Sequence, residues 1–404
     1  MKASSTIKII LKVYRILGIK KSSMLVLRNP AVVQNTIRMT NLDTYLSIPL
    51  DEEMNGALDV DTLRKSKNLA LSLTTIQDIE DYPQLPAWKS EQKYPTDIFA
   101  AIDAGVIKCA SNDATRPVMC GVFFDFTYGV MVATDSHRLR TVPLSIGSTK
   151  WKRGSDFILR QEALHILLEV QANKWKLQKV TRVWQNKKKS GIGWLMFQFT
   201  NGAVLCSREI EGPYPSYVKV IPTPVYIVEL TQPERIQLIA VVGTLSPAVG
   251  SELNMMHFFK DGNVYAYNVD KELFWKAQLP FVPPIDIRFN YAYLLELLKE
   301  IPEGVLQIGF STEIGATVFG VSPQQLVLKE RPDVSLGISL LMPLRLGSQG
   351  TMPSLNKFIE IDPQTKKAIT VSGDNHVKTK TKTGTKTNVN CDYVKPKYKV
   401  KRKG

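Results

Sequence analysis

Apolar residues near the start of the chain recur with a helical period. Ile9, Ile10, Val13, Ile16 and Leu17 fall on one stripe, and Gly18 follows as a stop. This predicts a helix over Thr6–Leu17. Similar patterns predict helices at Asp59–Asn68, Thr96–Ala110, Leu159–Ala172, Gln232–Gly243 and Asn290–Ile301. Thr231 and Glu234 form a capping box with Pro233 in the first turn, and Asn290 is an N-cap for YAYLLELLKEI. Between the helices the period changes to two, as in half-buried strands.

One strand–turn–strand piece occurs three times: TNLDTYLSIPL from Thr40, TDSHRLRTVPL from Thr134 and YNVDKELFWKA from Tyr267. An Asn or Asp near the start of each favours a turn through side-chain to backbone hydrogen bonds. A further echo, IEDYPQL from Ile79 and IEGPYPSYV from Ile210, closes the first two copies. Strands in VSPQQLVLKE and LLMPLRL close the third. Repeats at this scale mean pseudosymmetric units. The reading is an α+β chain of three units, 1–92, 93–222 and 223–347, each with two helices and antiparallel strands. Residues 348–404 contain KTKTKTGTKT and few aromatics. They are expected to be disordered apart from a short strand at Lys357–Ile361.

Composition narrows the function. At 404 residues with 44% apolar and 22% charged content, the chain reads as a globular protein. It has no apolar run long enough for a membrane helix, and Lys8, Lys12 and Arg15 interrupt Ile7–Leu17. Cys109, Cys120, Cys206 and Cys391 show no CxxC spacing and read as free thiols in a reducing, cytoplasmic compartment. The net charge is +15, of which +9 lies from Ser348 onward and +6 in the body. Both parts favour a polyanionic partner.

No catalytic constellation is present. His137 lies beside Asp135, but on a turn and without a nucleophile. His165, His257 and His376 have no metal-ligand spacing, and there is no GxxxxGK[ST] loop. Neither an enzyme nor a cofactor is expected. Seven cations from Lys174 to Lys189 interleave with Trp175 and Trp184. Such a run can bind single strands, but NKKKSG reads better as a hairpin turn.

The segments ATRPVMCGVFFDF, VATDSHRLRTVPL, GPYPSYVKVIP, FNYAYLLELLKEI and LLMPLRL resemble the bacterial sliding clamp, the beta subunit of the replicative DNA polymerase. The resemblance covers about residues 5–346. The family pattern ATDGHRL has Ser136 in place of its glycine here. The resemblance implies three similar domains per chain and a homodimer closing head to tail into a ring around double-stranded DNA. It also implies a pocket for short motifs of DNA polymerase and clamp loader. A clamp-like ring serving transcription or recombination proteins is the alternative. Two departures stand out: the first unit is shorter by about two strands near the expected subunit junction, and the chain continues past Leu346.

For DNA, the family comparison points to cations facing phosphates with little base readout. Lys8, Lys12 and Arg15 share one face of the first helix, extended by Lys20 and Lys21. Arg64, Lys65 and Lys67 on the second helix and Arg116 in the loop SNDATRP are further candidates. For the peptide pocket, the resemblance implies Met119, Thr134, Ser136, His137, Arg138, Leu139, Pro215, Lys219, Val220, Leu340, Met342, Pro343, Leu344, Arg345 and Leu346. Methionine and leucine would make an adaptable apolar groove, and Arg138 and Arg345 would hold backbone or acidic groups.

Overall fold

A computed structural model describes residues 3–22, 24–74, 81–99, 102–145, 154–246, 255–268, 273–321, 326–327, 330–344, 358–361 and 368–372. The chain divides into two compact units. The first holds Met1–Glu229 and Glu296–Met342, and the second Leu230–Leu295 and Pro343–Gly404. Among the described residues, no helix is long and apolar enough to cross a membrane.

The first stretch of chain holds α1 (Ala3–Ile16), β1 (Ala31–Val33), β2 (Thr36–Thr40), β3 (Thr44–Pro49), β4 (Gly56–Leu58), α2 (Val60–Ser66) and β5 (Leu73–Thr74). Next come β6 (Ser90–Tyr94), α3 (Ala104–Lys108), β7 (Gly121–Asp125), β8 (Val130–Thr134), β9 (Arg138–Pro143), β10 (Phe157–Arg160), α4 (Gln161–Ala172), β11 (Leu177–Trp184), β12 (Trp194–Phe199) and β13 (Val204–Arg208). The third holds β14 (Tyr226–Leu230), α5 (Gln232–Leu245), β15 (Met255–Phe258), β16 (Asn263–Asn268), β17 (Leu273–Gln278), β18 (Ile287–Asn290), α6 (Tyr291–Glu300), β19 (Leu306–Phe310), β20 (Thr317–Val321) and β21 (Ser339–Leu341). Two strands follow, β22 (Phe358–Ile361) and β23 (Ala368–Ser372).

Three sheets result, in the orders β5-β4-β1-β2-β3-β13-β12-β11-β6, β10-β7-β8-β9-β21-β20-β19-β14 and β18-β15-β16-β17-β22-β23. In the first two, antiparallel pairs join one repeat to the next: β3 with β13, and β9 with β21. The main core lies in the first unit, where the buried stripe Ile9, Ile10 and Val13 of α1, with Leu17 just beyond it, shares one cluster with Leu164, Leu167 and Val170 of α4. Gly18 ends α1 at φ +63°, and the amide of Thr231 reaches Glu234 Oε2 at 2.7 Å.

The first turn recurs in all three copies and the second in two, the third copy of the second turn lying outside the described residues. Asn35, Gly129 and Gly262 open the recurring hairpins with φ of 59°, 66° and 81°. Their carbonyls accept from the amides of Leu50, Leu144 and Leu279 at 2.7, 2.8 and 2.8 Å. Only glycine and asparagine occupy this left-handed position readily, which is why these residue types recur. At the next turn, Thr40 Oγ1 donates to the Thr44 carbonyl at 2.9 Å, and Thr134 Oγ1 to the Arg138 carbonyl at 2.7 Å. Asn41 Oδ1 accepts from the amides of Asp43 and Thr44, as Asp135 Oδ1 does from His137 and Arg138. Leu42 and Ser136 take the same left-handed φ, 78° and 79°.

Several expectations need correction. The helix expected at 96–110 is a 3-10 turn, Thr96–Phe99, followed by the short α3. Asp103 starts α3 by accepting from the Val106 amide at 2.8 Å. A mid-segment aspartate that prefers to cap imposes a new helix start. The expected α4 loses its first two residues, Leu159 and Arg160, to β10. The third-repeat strand lies in TVFGV at Thr317–Val321, and residues 326–327 carry none. The tail, expected to be mostly disordered, adds β23 as well as the anticipated strand at β22. The basic run does form a hairpin, β11 with β12. Cys109, Cys120 and Cys206 are free thiols, while Cys391 lies outside the described residues.

Candidate partner groove and nucleic-acid face

A cleft of about 410 Å³ opens in the first unit where β8, β9 and β21 meet the 3-10 turn Tyr217–Val220. The floor follows from register. Leu139 pairs with both Thr134 and Leu340, and all three are buried. Met342 lies just past β21, and its amide donates to the His137 carbonyl at 2.8 Å. Met342, 37% exposed, and Val220, 61% exposed, both line the cleft. The lining thus combines buried aliphatics with two accessible apolar anchors.

Of the residues expected here, Met119, Thr134, Ser136, His137, Arg138, Leu139, Pro215, Val220, Leu340 and Met342 line the cleft. Lys219 is exposed and outside the lining. Pro343 and Leu344 belong to the second unit, where the Leu344 amide donates to the Arg288 carbonyl at 2.9 Å. Arg345 and Leu346 lie outside the described residues. Ser216, Tyr217 and Ala316 also line the cleft and were not anticipated. Tyr217 was legible as the second aromatic of YPSYV. Ala316 carries no local signal, since it reaches the cleft through β20 and β21, and β21 in turn pairs with the distant β9.

Arg138 departs from its expected part. Its Nε reaches Asp135 Oδ2 at 3.0 Å, and its terminal nitrogens bond Glu296 and the Lys108 carbonyl. Burial is the largest influence and opposes its charge, but the Glu296 hydrogen bond together with the nearby Cys109, Asp135 and Glu296 charges outweighs it and raises its pKa. Arg138 thus lines the cleft while its guanidinium is held by Asp135 and Glu296. Arg116 lies outside the lining but is bonded to Ser136, which belongs to it. It bonds Asp113 at 2.9 Å and donates to Ser136 Oγ at 2.6 Å.

On α1, Lys8, Lys12 and Arg15 are exposed on the face opposite the buried stripe. Lys12 forms an ion pair with Glu169 of α4 at 2.6 Å while staying 59% exposed. Lys20, Lys21, Arg64, Lys65 and Lys67 are exposed too. Asp61 lies among them, 3.0 Å from Arg64 and 3.9 Å from Lys20. The basic hairpin has a structural explanation. Arg182 holds Glu209 in a bidentate pair at 2.5 and 2.6 Å and stacks 5.1 Å from the Trp184 ring, while Trp175 and Trp184 are buried.

No family model matches the chain. The beta sliding clamp of Halalkalibacterium halodurans is 28% identical over 151 residues, 36% of this chain and 37% of that one. The beta sliding clamp of Synechococcus elongatus is 24% identical over 251 residues, 59% of this chain and 64% of that one. The matches to these two relatives thus span a third to two thirds of their lengths. Among solved structures, the sliding clamp of Bartonella birtlesii superposes with a TM-score of 0.64 at 17% identity, covering 86% of this chain and 98% of that one. The beta subunit of DNA polymerase III from Thermotoga maritima gives 0.62 at 16% identity, covering 86% and 98%. The chain has the sliding-clamp fold. Within that clamp fold, the residues that carried the resemblance, TDSHRL, YPSYV and LLM, supply most of the groove.

Proposed function

We propose that this chain is a DNA sliding clamp, a non-catalytic processivity factor that encircles duplex DNA and tethers a replicative DNA polymerase. The observation that carries this is the groove: three segments distant in sequence converge on one apolar cleft, on a clamp fold. The groove takes a short linear motif of the polymerase or of a clamp loader by a few anchors, Met342 and Val220 among them. The three repeats, 1–92, 93–222 and 223–347, act as domains, and two chains make the six of a closed ring. DNA passes the α1 face, with Lys8 and Arg15 as its strongest phosphate contacts. Lys12, Lys20, Lys21, Arg64, Lys65 and Lys67 add to the field, moderated by Glu169 and Asp61. Arg116, tied to Ser136, serves the groove more than DNA.

The test is binding of a polymerase-derived motif peptide, followed by fluorescence anisotropy. Binding that Met342→Ala with Val220→Ala abolishes, in a protein that remains folded by circular dichroism, supports the reading. Equal affinity in parent and double variant overturns the groove assignment.

A further inference from the structure

The first two sheets each join a four-strand half of one repeat to a half of the next. In one, β10-β7-β8-β9 meets β21-β20-β19-β14; in the other, β4-β1-β2-β3, edged by β5, meets β13-β12-β11-β6. The third sheet starts in the same way, with β18-β15-β16-β17. The strand β17 therefore stands where β3 and β9 stand, at a junction edge. Its neighbour comes from no repeat: it is β22, followed by β23. Among the described residues, the first repeat contributes only β5 after α2, and β5 pairs back with β4. Its described residues show no counterpart of β11, β12 and β13.

The added strand is also of a different kind. It runs parallel to β17, from Phe274 opposite Phe358 to Lys276 opposite Glu360. The repeat junctions at β3 and β9 are antiparallel. A parallel strand is not a fourth copy of the repeat but a separate device that occupies the same backbone groups. The reach is sufficient. Leu344 bonds Arg288 on β18, and β22 lies four strand spacings away, roughly 19 Å. Fourteen residue steps can span about 48 Å.

We propose that the C-terminal strands β22 and β23 cap the junction edge of the third repeat and compete there with a second copy of this chain. An edge strand exposes one row of N–H and C=O groups, which only one partner can take. A tethered strand acts at an effective concentration on the order of millimolar, so it outcompetes a free copy at micromolar concentration. The isolated chain is then a monomer, and ring closure requires the tail to let go. This rests on the clamp reading for the identity of the competitor.

The test uses the full chain and a variant carrying Ile359→Pro and Glu360→Pro. Side by side on β22, these positions donate to opposite neighbours, so the pair removes donors toward both β17 and β23. Sedimentation at micromolar concentration should give the 45.4 kDa monomer for the parent and a shift to dimer for the variant, with dimer affinity raised at least about tenfold. Amides of residues 274–276 should exchange faster in the variant monomer than in the parent. A parent that is already dimeric overturns the cap, as does a variant that stays monomeric. Motif-peptide affinity measured on the same two proteins reports on the clamp reading separately, because the groove lies in the first unit and the cap in the second.

Discussion

The Met342 amide meets the His137 carbonyl at 2.8 Å, just as the Arg208 amide meets the Asp43 carbonyl at 2.7 Å one repeat earlier. One bond thus fastens the end of a junction strand to the Asx turn of the preceding repeat, at two places in the chain. At the first, Asp43 is flanked by Arg160 and Arg208, 3.2 and 3.7 Å away. At the second, apolar Met342 replaces the arginine and borders a groove. The same scaffold gives an ion-paired joint in one place and an apolar cleft in the other.

Groove anchors and groove floor should separate. Met342→Ala with Val220→Ala removes exposed side chains and should cost about 2 kcal/mol or more of peptide affinity with little change in stability. Leu340→Ala removes a buried one and should lower unfolding free energy by about 2–4 kcal/mol. Anisotropy and urea denaturation of both variants check this.

Arg138→Ala should behave as a stability variant first. It takes the Arg138 cation from Asp135, leaves Glu296 with only Lys108 at 3.9 Å, and removes a donor to the Lys108 carbonyl. Because Glu296 is a third exposed, the expected loss is about 2 kcal/mol, below that of a fully buried pair. Thermal unfolding should show it, and Arg138→Lys should recover only part.

DNA binding by the unclosed chain should be electrostatic and sequence-independent. Lys8→Ala with Arg15→Ala should lower the slope of log affinity against log salt by about 2, near one for each phosphate that is no longer neutralised. Lys12→Ala should change it less, since Lys12 is shared with Glu169. Filter binding across a salt series on two unrelated sequences measures both claims.

His257 should make the second unit acid-sensitive. Its ring is buried, stacks on Phe259 at 3.7 Å, and neither ring nitrogen has a hydrogen-bond partner among the described residues. Burial, aided by the nearby Arg288 charge and opposed by Asp286, pushes its pKa down to about 4. Between that value and the ordinary 6.5 the unfolded chain binds the extra proton and the native one does not. This contribution is therefore complete above about pH 6.5, falls with falling pH, and levels off near 4, a loss of up to roughly 3 kcal/mol. His257→Phe should flatten the dependence of stability on pH in that window, as read by denaturant midpoints at pH 5 and 7.

Most of the fold was legible because its signals are local. Turn-forming Asn41 and Asp135, left-handed Gly129 and Gly262, and the Thr231–Glu234 box each act within a few residues. The groove was legible in large part for the same reason, since TDSHRL and YPSYV are turns with fixed geometry. What escaped depends on distant partners. Arg138 is claimed by Glu296, 158 residues away, and Ala316 reaches the groove only through sheet pairing. The strand β23 was missed although AITVS carries three β-branched residues, because it sits in a Lys- and Thr-rich tail whose overall composition reads as disordered.

The clamp reading is tested most directly by topology. The chain carrying Ile359→Pro and Glu360→Pro would be assembled at micromolar concentration on nicked circular plasmid, then passed over a sizing column in about 0.5 M salt, where phosphate contacts fail. Protein that stays with the circle and is released when a restriction enzyme linearises it is the predicted result. Equal loss from circular and linear DNA would contradict the account.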